Sequence, residues 1–115
     1  MSESFEIAEV PASGPAAIIR VEGRLDAQGS ALLLERAQAV RASGRSLVFN
    51  LNRVTFLASS AIATLLMIRE EFHDQGLSVR LACTSKMVRT AIALMNLGEF
   101  LTLHDTEEQA VRAAA

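Results

Sequence analysis

Leu47-Val48-Phe49-Asn50-Leu51, followed by Val54-Thr55-Phe56-Leu57 and then Ala58-Ser59-Ser60-Ala61, is the stretch that decides the fold. The first run is apolar and of strand length, which predicts a central strand buried on both faces of a sheet. The last four residues open a helical pattern whose buried side carries Ile62, Leu65, Leu66 and Phe72. A buried strand that leads directly into an amphipathic helix is typical of an α/β fold.

The segments before this stretch predict an N-terminal hairpin and a first helix. Residues 5–10 and 16–21 have strand character, and the turn residues 11–15 lie between them. Residues 22–26 are expected to break the second strand. The helix that follows has Asp26 or Ser30 as a possible cap and stops at Gly44.

The segments after it predict two further strands and two further helices. Residues 77–81 form a strand, and a helix capped by Thr84 or Ser85 closes at Gly98. An extended piece over residues 100–103 precedes a last helix, in which Thr106 and Gln109 have the spacing of a capping box. The order β-β-α-β-α-β-α-β-α predicts a mixed β-sheet with an N-terminal hairpin, backed by about four helices, in a single domain spanning residues 1–115.

Composition excludes several classes of partner. The formal net charge is −2 and the chain has no Trp or Tyr, so neither a basic surface nor stacking platforms favour nucleic acid. No apolar run approaches the length of a membrane span, and the acidic N-terminus does not resemble a secretory signal. Cys83 is the only cysteine and is expected to be a buried thiol at a strand end, which fits a reducing compartment. We therefore expect a cytoplasmic protein without membrane insertion.

Enzymatic motifs are also missing from the sequence. His73 and His104 have no metal-ligand spacing with each other or with Cys83, and surface or capping roles are expected for both. No phosphate-binding loop, zinc-binding helix motif or nucleophile elbow occurs. The paired glutamates at 70–71 and 107–108 are interpreted as solvated charge. These observations predict no enzyme activity, no metal and no cofactor.

Ser59 and Ser60 have two interpretations. One of them can be the N-cap of the following helix, because a hydroxyl there accepts a bond from an unpaired backbone N–H. Alternatively, the same position is suited to phosphorylation, because the N-terminus of a helix tolerates negative charge and the added charge disrupts docking of a partner.

The motifs resemble those of the STAS domain family, specifically the free-standing anti-sigma factor antagonists. Val21-Glu22-Gly23-Arg24-Leu25-Asp26 is similar to the family's G-(E/R)-L-D element, and the stretch ending Ala58-Ser59-Ser60-Ala61 is similar to its D-S-S/T-G signature. The C-terminal third, including residues 88–98 and the helix start at 106–110, also resembles the family. The similarity covers nearly the whole chain.

The resemblance implies a protein-binding switch. In the family, an anti-sigma factor that is also a serine kinase phosphorylates the serine after the Asp, the unphosphorylated form binds this kinase, and a phosphatase resets the cycle. By position, Ser59 is the implied phosphoacceptor, with Ser60 as the alternative. The implied partner-binding residues are Gly23, Arg24, Leu25, Asp26, Ala58, Ser59, Ser60, Ala61 and Ile62.

Two positions depart from the signature, and they keep other functions open. Ala58 replaces the Asp, which removes a carboxylate beside the acceptor, and Ala61 replaces the Gly, which adds a methyl group where a partner backbone could approach. These changes favour a second hypothesis: a degenerate STAS module that serves as a scaffold or as an accessory subunit of a transport complex. A third, small-ligand binding or enzymatic function, lacks convergent polar residues in the sequence.

Overall fold

The computed structural model of the chain describes residues 5–10 and 16–114, and the predicted turn at 11–15 lies outside this part. The strands are β1 (Phe5–Val10), β2 (Ala16–Leu25), β3 (Ser46–Leu57), β4 (Val79–Ala82) and β5 (Leu103–His104). The helices are α1 (Ala27–Ala42), α2 (Ser59–Asp74), α3 (Lys86–Leu94) and α4 (Glu107–Ala114). The predicted order of elements is confirmed.

The five strands form one mixed sheet in the order β1-β2-β3-β4-β5. β1 pairs antiparallel with β2, as the predicted hairpin requires, and the other neighbours are parallel. β3 lies in the middle, and its residues Leu47, Val48 and Phe49 are fully buried. The prediction of a central strand covered on both faces is therefore confirmed.

The helices divide unequally between the two faces of the sheet. α1, α2 and α3 contribute Leu33, Leu65 and Ile92 to the larger core cluster on one face, as successive crossovers of one hand require. α4 packs on the opposite face, where Ala110 and Ala114 join a smaller cluster with Ile18, Val48 and Ala82. α4 has only 8 residues, so it covers a part of that face.

The second strand is longer than predicted. Residues 22–26 were expected to break it, but β2 continues to Leu25 and pairs with β3 as far as Leu57. Two register shifts in this pairing, between Arg20 and Glu22 and between Gly23 and Arg24, accommodate the irregular segment. Gly23 has φ 98, a left-handed conformation that favours glycine.

The helix ends agree with the sequence in α1 and differ in α3. Asp26 caps α1 by accepting a 3.0 Å bond from the Gly29 N–H, and Gly44 follows the helix with φ 76, as predicted. α3 ends at Leu94 and not at Gly98, because Asn96 takes the left-handed conformation with φ 59. The extended piece predicted over residues 100–103 is replaced by the two-residue strand β5 (Leu103–His104), so only Leu103 lies in a strand as predicted.

The capping box of α4 is confirmed in one of its two bonds. The Gln109 N–H donates to the Thr106 hydroxyl oxygen at 3.1 Å. The Gln109 side-chain oxygen, however, accepts from the N–H of Asp105 at 3.2 Å and not from that of Thr106. Both bonds still satisfy donors at the start of the helix.

Two predicted environments near β5 are wrong. His104 lies within β5 and is half-buried, and its Nε2 has no hydrogen-bond partner among the described residues. Burial, together with the charge of Arg80, lowers the pKa of His104. Cys83 is half-buried, not buried, and has φ 53 directly after β4. His73 is exposed at the end of α2, which agrees with the predicted surface role.

Candidate functional site

The two predicted site segments meet at the edge of the sheet where β2 and β3 end. Leu25 is opposite Leu57 in the parallel ladder, and the Ala58 N–H donates to the Leu25 carbonyl at 3.0 Å. This bond joins the start of α2 to the end of β2. The carboxyl ends of parallel strands are where α/β folds commonly place their sites.

The start of α2 differs from the predicted cap. Ala58 is the N-cap residue, with φ −74 and ψ 156, and it has no side-chain oxygen to cap the helix. The carbonyl of Ala58 accepts from the Ala61 N–H at 2.9 Å and from the Ile62 N–H at 3.2 Å. These bonds begin the helix one residue earlier than a serine cap allows, so neither Ser59 nor Ser60 is the cap. Both serines instead belong to the first turn, and both are exposed.

The nine residues implied in partner binding have different degrees of exposure. Ser59 and Ser60 are exposed, while Gly23, Arg24, Asp26 and Ala58 are half-buried. The side chains of Leu25, Ala61 and Ile62 are buried in the core, so their expected place on the docking surface is corrected. We define the docking edge as the six residues that remain accessible: Gly23, Arg24, Asp26, Ala58, Ser59 and Ser60.

The burial of Ala61 bears on the second departure from the signature. Its methyl group was expected where a partner backbone could approach, but Ala61 is fully buried. The added methyl group therefore fills space inside the protein and leaves the docking edge unobstructed.

An aromatic side chain beside the docking edge was missed by the sequence analysis. The Arg24 guanidinium lies 4.0 Å from the ring centroid of Phe56, which is its neighbour in the β2–β3 ladder. Phe56 is 38% exposed, which is unusual for a phenylalanine on a strand. No signal in the sequence pairs these residues, because their register depends on the two irregularities in β2.

The electrostatics of the site favour an added negative charge. The first turn of α2 contains no acidic residue, and its first N–H groups point out of the helix. The positive end of the helix dipole lies at the same place. An anion attached to Ser59 therefore meets a favourable field and no carboxylate within the first turn.

Other chemistry finds little support in the described part of the chain. Residues 5–10 and 16–114 contain no group of three His, Cys, Asp or Glu side chains that could hold a metal ion. Over the same ranges, no helix has both the length and the apolar character needed to cross a membrane.

Comparison with known proteins places these features in a family. The STAS domain profile matches residues 8–110. Anti-sigma-F factor antagonist RsfA of Mycobacterium tuberculosis is 32% identical over 101 residues, which cover 85% of this chain and 79% of RsfA.

Solved structures of similar proteins have the same fold. An anti-sigma factor antagonist from Mycobacterium paratuberculosis superposes with a TM-score of 0.80 at 22% identity, covering 98% of this chain and 94% of that one. The phosphorylated form of the Bacillus cell fate determinant SpoIIAA gives a TM-score of 0.71 at 21% identity, covering 97% of this chain and 100% of that one. At these identities the likeness establishes the fold.

Proposed function

Because this chain belongs to the STAS domain family, among the anti-sigma factor antagonists, we propose that it is a partner-switching protein controlled at Ser59. In this proposal the unphosphorylated chain binds a cognate anti-sigma factor that is also a serine kinase, and phosphorylation of Ser59 releases it. A phosphatase returns the chain to its binding form. The observation that carries the proposal is the exposed Ser59 side chain at the start of α2.

The position of Ser59 gives a kinase access to an exposed hydroxyl that does not cap the helix. Ser59 precedes the buried residues of the helix, and capping is provided neither by it nor by Ser60. No residue that the structure describes forms a hydrogen bond with the Ser59 hydroxyl, so transfer of a phosphoryl group to its oxygen breaks no such bond. In the opposite case, a serine serving as a cap, phosphorylation would compete with helix stability.

Release follows from the charge that phosphorylation adds. A phosphoserine carries about −1.5 to −2 charges at neutral pH. Placed in the middle of the docking edge, this charge must be desolvated when a partner covers it, and an apolar or acidic partner surface offers no compensation.

The stack of Arg24 on Phe56 is the proposed anchor for the partner. Phe56 and Arg24 are partly exposed side by side; phenylalanine and arginine are both enriched at protein interfaces, and arginine is among the residues that often carry most of the binding free energy. Their position next to the docking edge allows one partner to contact both the stack and Ser59.

The alternative function is a STAS module without phosphoregulation, acting as a scaffold or as an accessory subunit of a transport complex. Ala58 favours it, because the signature carboxylate beside the acceptor is missing. Ala61 no longer does, since its methyl group is buried.

The test uses the kinase-like ATPase encoded nearest to this chain's gene. The chain is incubated with this kinase and ATP, and its intact mass is measured. We expect a gain of one phosphoryl group, lost in Ser59→Ala and kept in Ser60→Ala, which is the matched control from the same turn. A gain that persists in Ser59→Ala assigns the acceptor elsewhere.

Binding is measured separately with the same kinase. Ser59→Asp is expected to weaken the complex by at least about tenfold, which corresponds to about 1.4 kcal/mol. A complex that forms equally well with Ser59→Asp, together with no mass gain, selects the alternative function.

A further inference from the structure

α4 is held on its face of the sheet by a small apolar contact. Ala110 and Ala114 are its buried residues, and they join Ile18, Val48 and Ala82 in the smaller core cluster. The side chain of an alanine is a single methyl group, so this contact removes less apolar surface from water than the leucines and isoleucines under the other helices do. Elements with few buried apolar contacts open locally at a lower free energy than the core. The docking of α4 therefore depends strongly on the polar groups beside it.

A charged network fixes the first turn of α4. The Arg20 guanidinium donates to both carboxylate oxygens of Glu107, at 2.8 and 2.9 Å, and the Asn50 amide donates to the same carboxylate at 2.6 Å. The bond from Arg20 lowers the pKa of Glu107, with a further contribution from Asn50. The interpretation of Glu107 as solvated charge is therefore wrong. Because an ordinary glutamate has a pKa of about 4.3, Glu107 stays ionised throughout the range in which histidines titrate.

The imidazole of His104 is the second polar group beneath α4. His104 is the partner of Ala82 in the parallel ladder, and paired residues of neighbouring strands point to the same face of a sheet. Its side chain therefore lies on the face that α4 covers, and β5 packs against β4 and α4. The Nε2 atom of His104 is shielded from solvent and has no hydrogen-bond partner among the described residues.

The surroundings of this imidazole disfavour a proton on it. Burial is the largest effect that lowers the pKa of His104, and the positive charge of Arg80 on β4 lowers it further. Asp105, between β5 and α4, acts in the opposite direction without reversing the shift. The other titratable group beside β4 is the thiol of Cys83, whose backbone N–H donates to the His104 carbonyl at 3.0 Å.

The charged side chains of α4 are engaged elsewhere. Glu107 is bonded to Arg20 and Asn50. Glu108 and Arg112 are exposed and pair with each other at 2.9 Å. No carboxylate of the described part of α4 therefore accepts a hydrogen bond from the imidazole.

We propose that His104 makes the docking of α4 dependent on pH: the helix lies on the sheet while the imidazole is neutral, and protonation of the ring releases it. Both ring nitrogens of an imidazolium carry a proton, so the docked helix would bury a charged N–H at Nε2 without an acceptor. Release of α4 lets water reach the ring and exposes the apolar surface of Ile18 and Val48. This face of the sheet is opposite α2, so the proposal does not depend on phosphorylation of Ser59.

The direction of the shift sets the pH range of the release. A histidine with a lowered pKa in the folded chain contributes a docking free energy that is fully present above the ordinary histidine pKa of about 6.5. This contribution is lost as the pH falls through the folded pKa. Release is therefore expected between about pH 7 and pH 5, where the carboxylates remain ionised.

The experiment is amide hydrogen exchange of the whole chain at about pH 7 and about pH 5, corrected for the intrinsic dependence of exchange on pH. We expect the protection of the α4 amides to fall by at least about threefold at the lower pH, while that of the α2 amides changes little. A proton NMR titration of the same chain should give a midpoint below about 6.5 for the His104 ring.

Three variants separate His104 from other effects of acid. His104→Gln and His104→Leu remove the titration with a polar and an apolar side chain, so the protection of α4 should be the same at both pH values. His73→Gln is the matched control, because His73 is exposed and is the other histidine of the chain, and this variant should keep the loss of protection.

Several outcomes overturn the proposal. They are an unchanged protection of α4 in the parent chain, a loss that is equal in all helices, a loss that persists in both His104 variants, and a loss that His73→Gln abolishes. If neither His104 variant folds, the titration of the parent chain decides, and a His104 midpoint at or above about 6.5 overturns the proposal.

Discussion

Restoring a carboxylate at the N-cap of α2 should stabilise the protein. Ala58 already has the extended conformation of an N-cap residue, with φ −74 and ψ 156, so Ala58→Asp requires no change of the backbone. It is half-buried at the surface, which leaves room for a longer side chain. The new carboxylate can accept from the N–H of Ser60 or Ala61, as Asp26 accepts from Gly29 in α1.

The size of the effect follows from capping and from the helix dipole. Replacing Ala by Asp at an N-cap stabilises a protein by about 1 kcal/mol. The interaction of the negative charge with the helix dipole is either included in this value or adds a few tenths of a kcal/mol. For a chain of 115 residues this corresponds to an increase of about 4 °C in the melting temperature. The introduced carboxylate is stabilised in the folded state, which lowers its folded pKa. The gain is therefore present at neutral pH and is lost as the pH falls below about 4.

Urea unfolding followed by circular dichroism measures the change in the free energy of unfolding. Urea is uncharged, so it does not screen the interaction between the carboxylate and the helix. Ala63→Asp is the matched control, because Ala63 is exposed one turn further along the same helix. There the substitution should cost about 0.5 kcal/mol in helix propensity. If Ala58→Asp is no more stable than the parent chain, or if its gain persists at about pH 2.5, well below a carboxyl pKa, the assignment of Ala58 as an uncapped N-cap is refuted.

Three further substitutions test other parts of the structure. Gly44→Ala should lower the free energy of unfolding by about 1 kcal/mol, because Gly44 has φ +76. Gly98→Ala should not lower it, because Gly98 has no positive φ. Urea unfolding of the two variants measures the difference. Glu107→Gln should lower the melting temperature at neutral pH, and the difference should vanish in acid. The pKa of Glu107 is lowered in the folded state, so the stability that its carboxylate contributes is lost as the pH falls. Thermal scans of both chains across pH check this, and a difference that persists in acid contradicts it. Phe56→Ala should weaken binding of the kinase partner by about tenfold or more, while the stability of the free chain changes little. Titration calorimetry measures the affinity, and scanning calorimetry of the free chain measures the stability. If the affinity is unchanged, the Arg24–Phe56 stack is not part of the interface.

The order of elements could be predicted from the sequence because it depends on local periodicity. The largely apolar run at 47–51 has the length and composition typical of a buried strand, and Gly44 marks a helix end by its own conformational preference. The end of α3 could not be predicted equally well. Gly98 and Asn96 are both able to end a helix, and the structure uses the residue that comes first.

The sequence identified the two segments that meet at one edge of the sheet, but not the details of the helix start between them. Both segments were identified, yet a helix start can shift by one residue without changing the pattern of apolar side chains, and this shift decides whether a serine is the cap. The bond between Glu107 and Arg20 spans 87 positions of the chain. The two adjacent glutamates at 107 and 108 have the same local sequence signal, and only the packing of α4 on the sheet makes one of them a fixed partner of Arg20.

The position of Ala58 changes what its departure from the family signature means. In this structure the residue is the N-cap of α2, so an aspartate there has a physical task, namely to bond the first N–H groups of the helix. Its replacement by alanine removes stability from the helix start but leaves the Ser59 side chain exposed. An uncapped helix start also has N–H groups and a dipole end that no carboxylate neutralises, so a phosphoryl group on Ser59 meets less repulsion here than beside an aspartate. The missing aspartate, which as a departure from the signature favours a module without phosphoregulation, therefore lowers the stability of the helix start while leaving Ser59 electrostatically suited to a phosphoryl group.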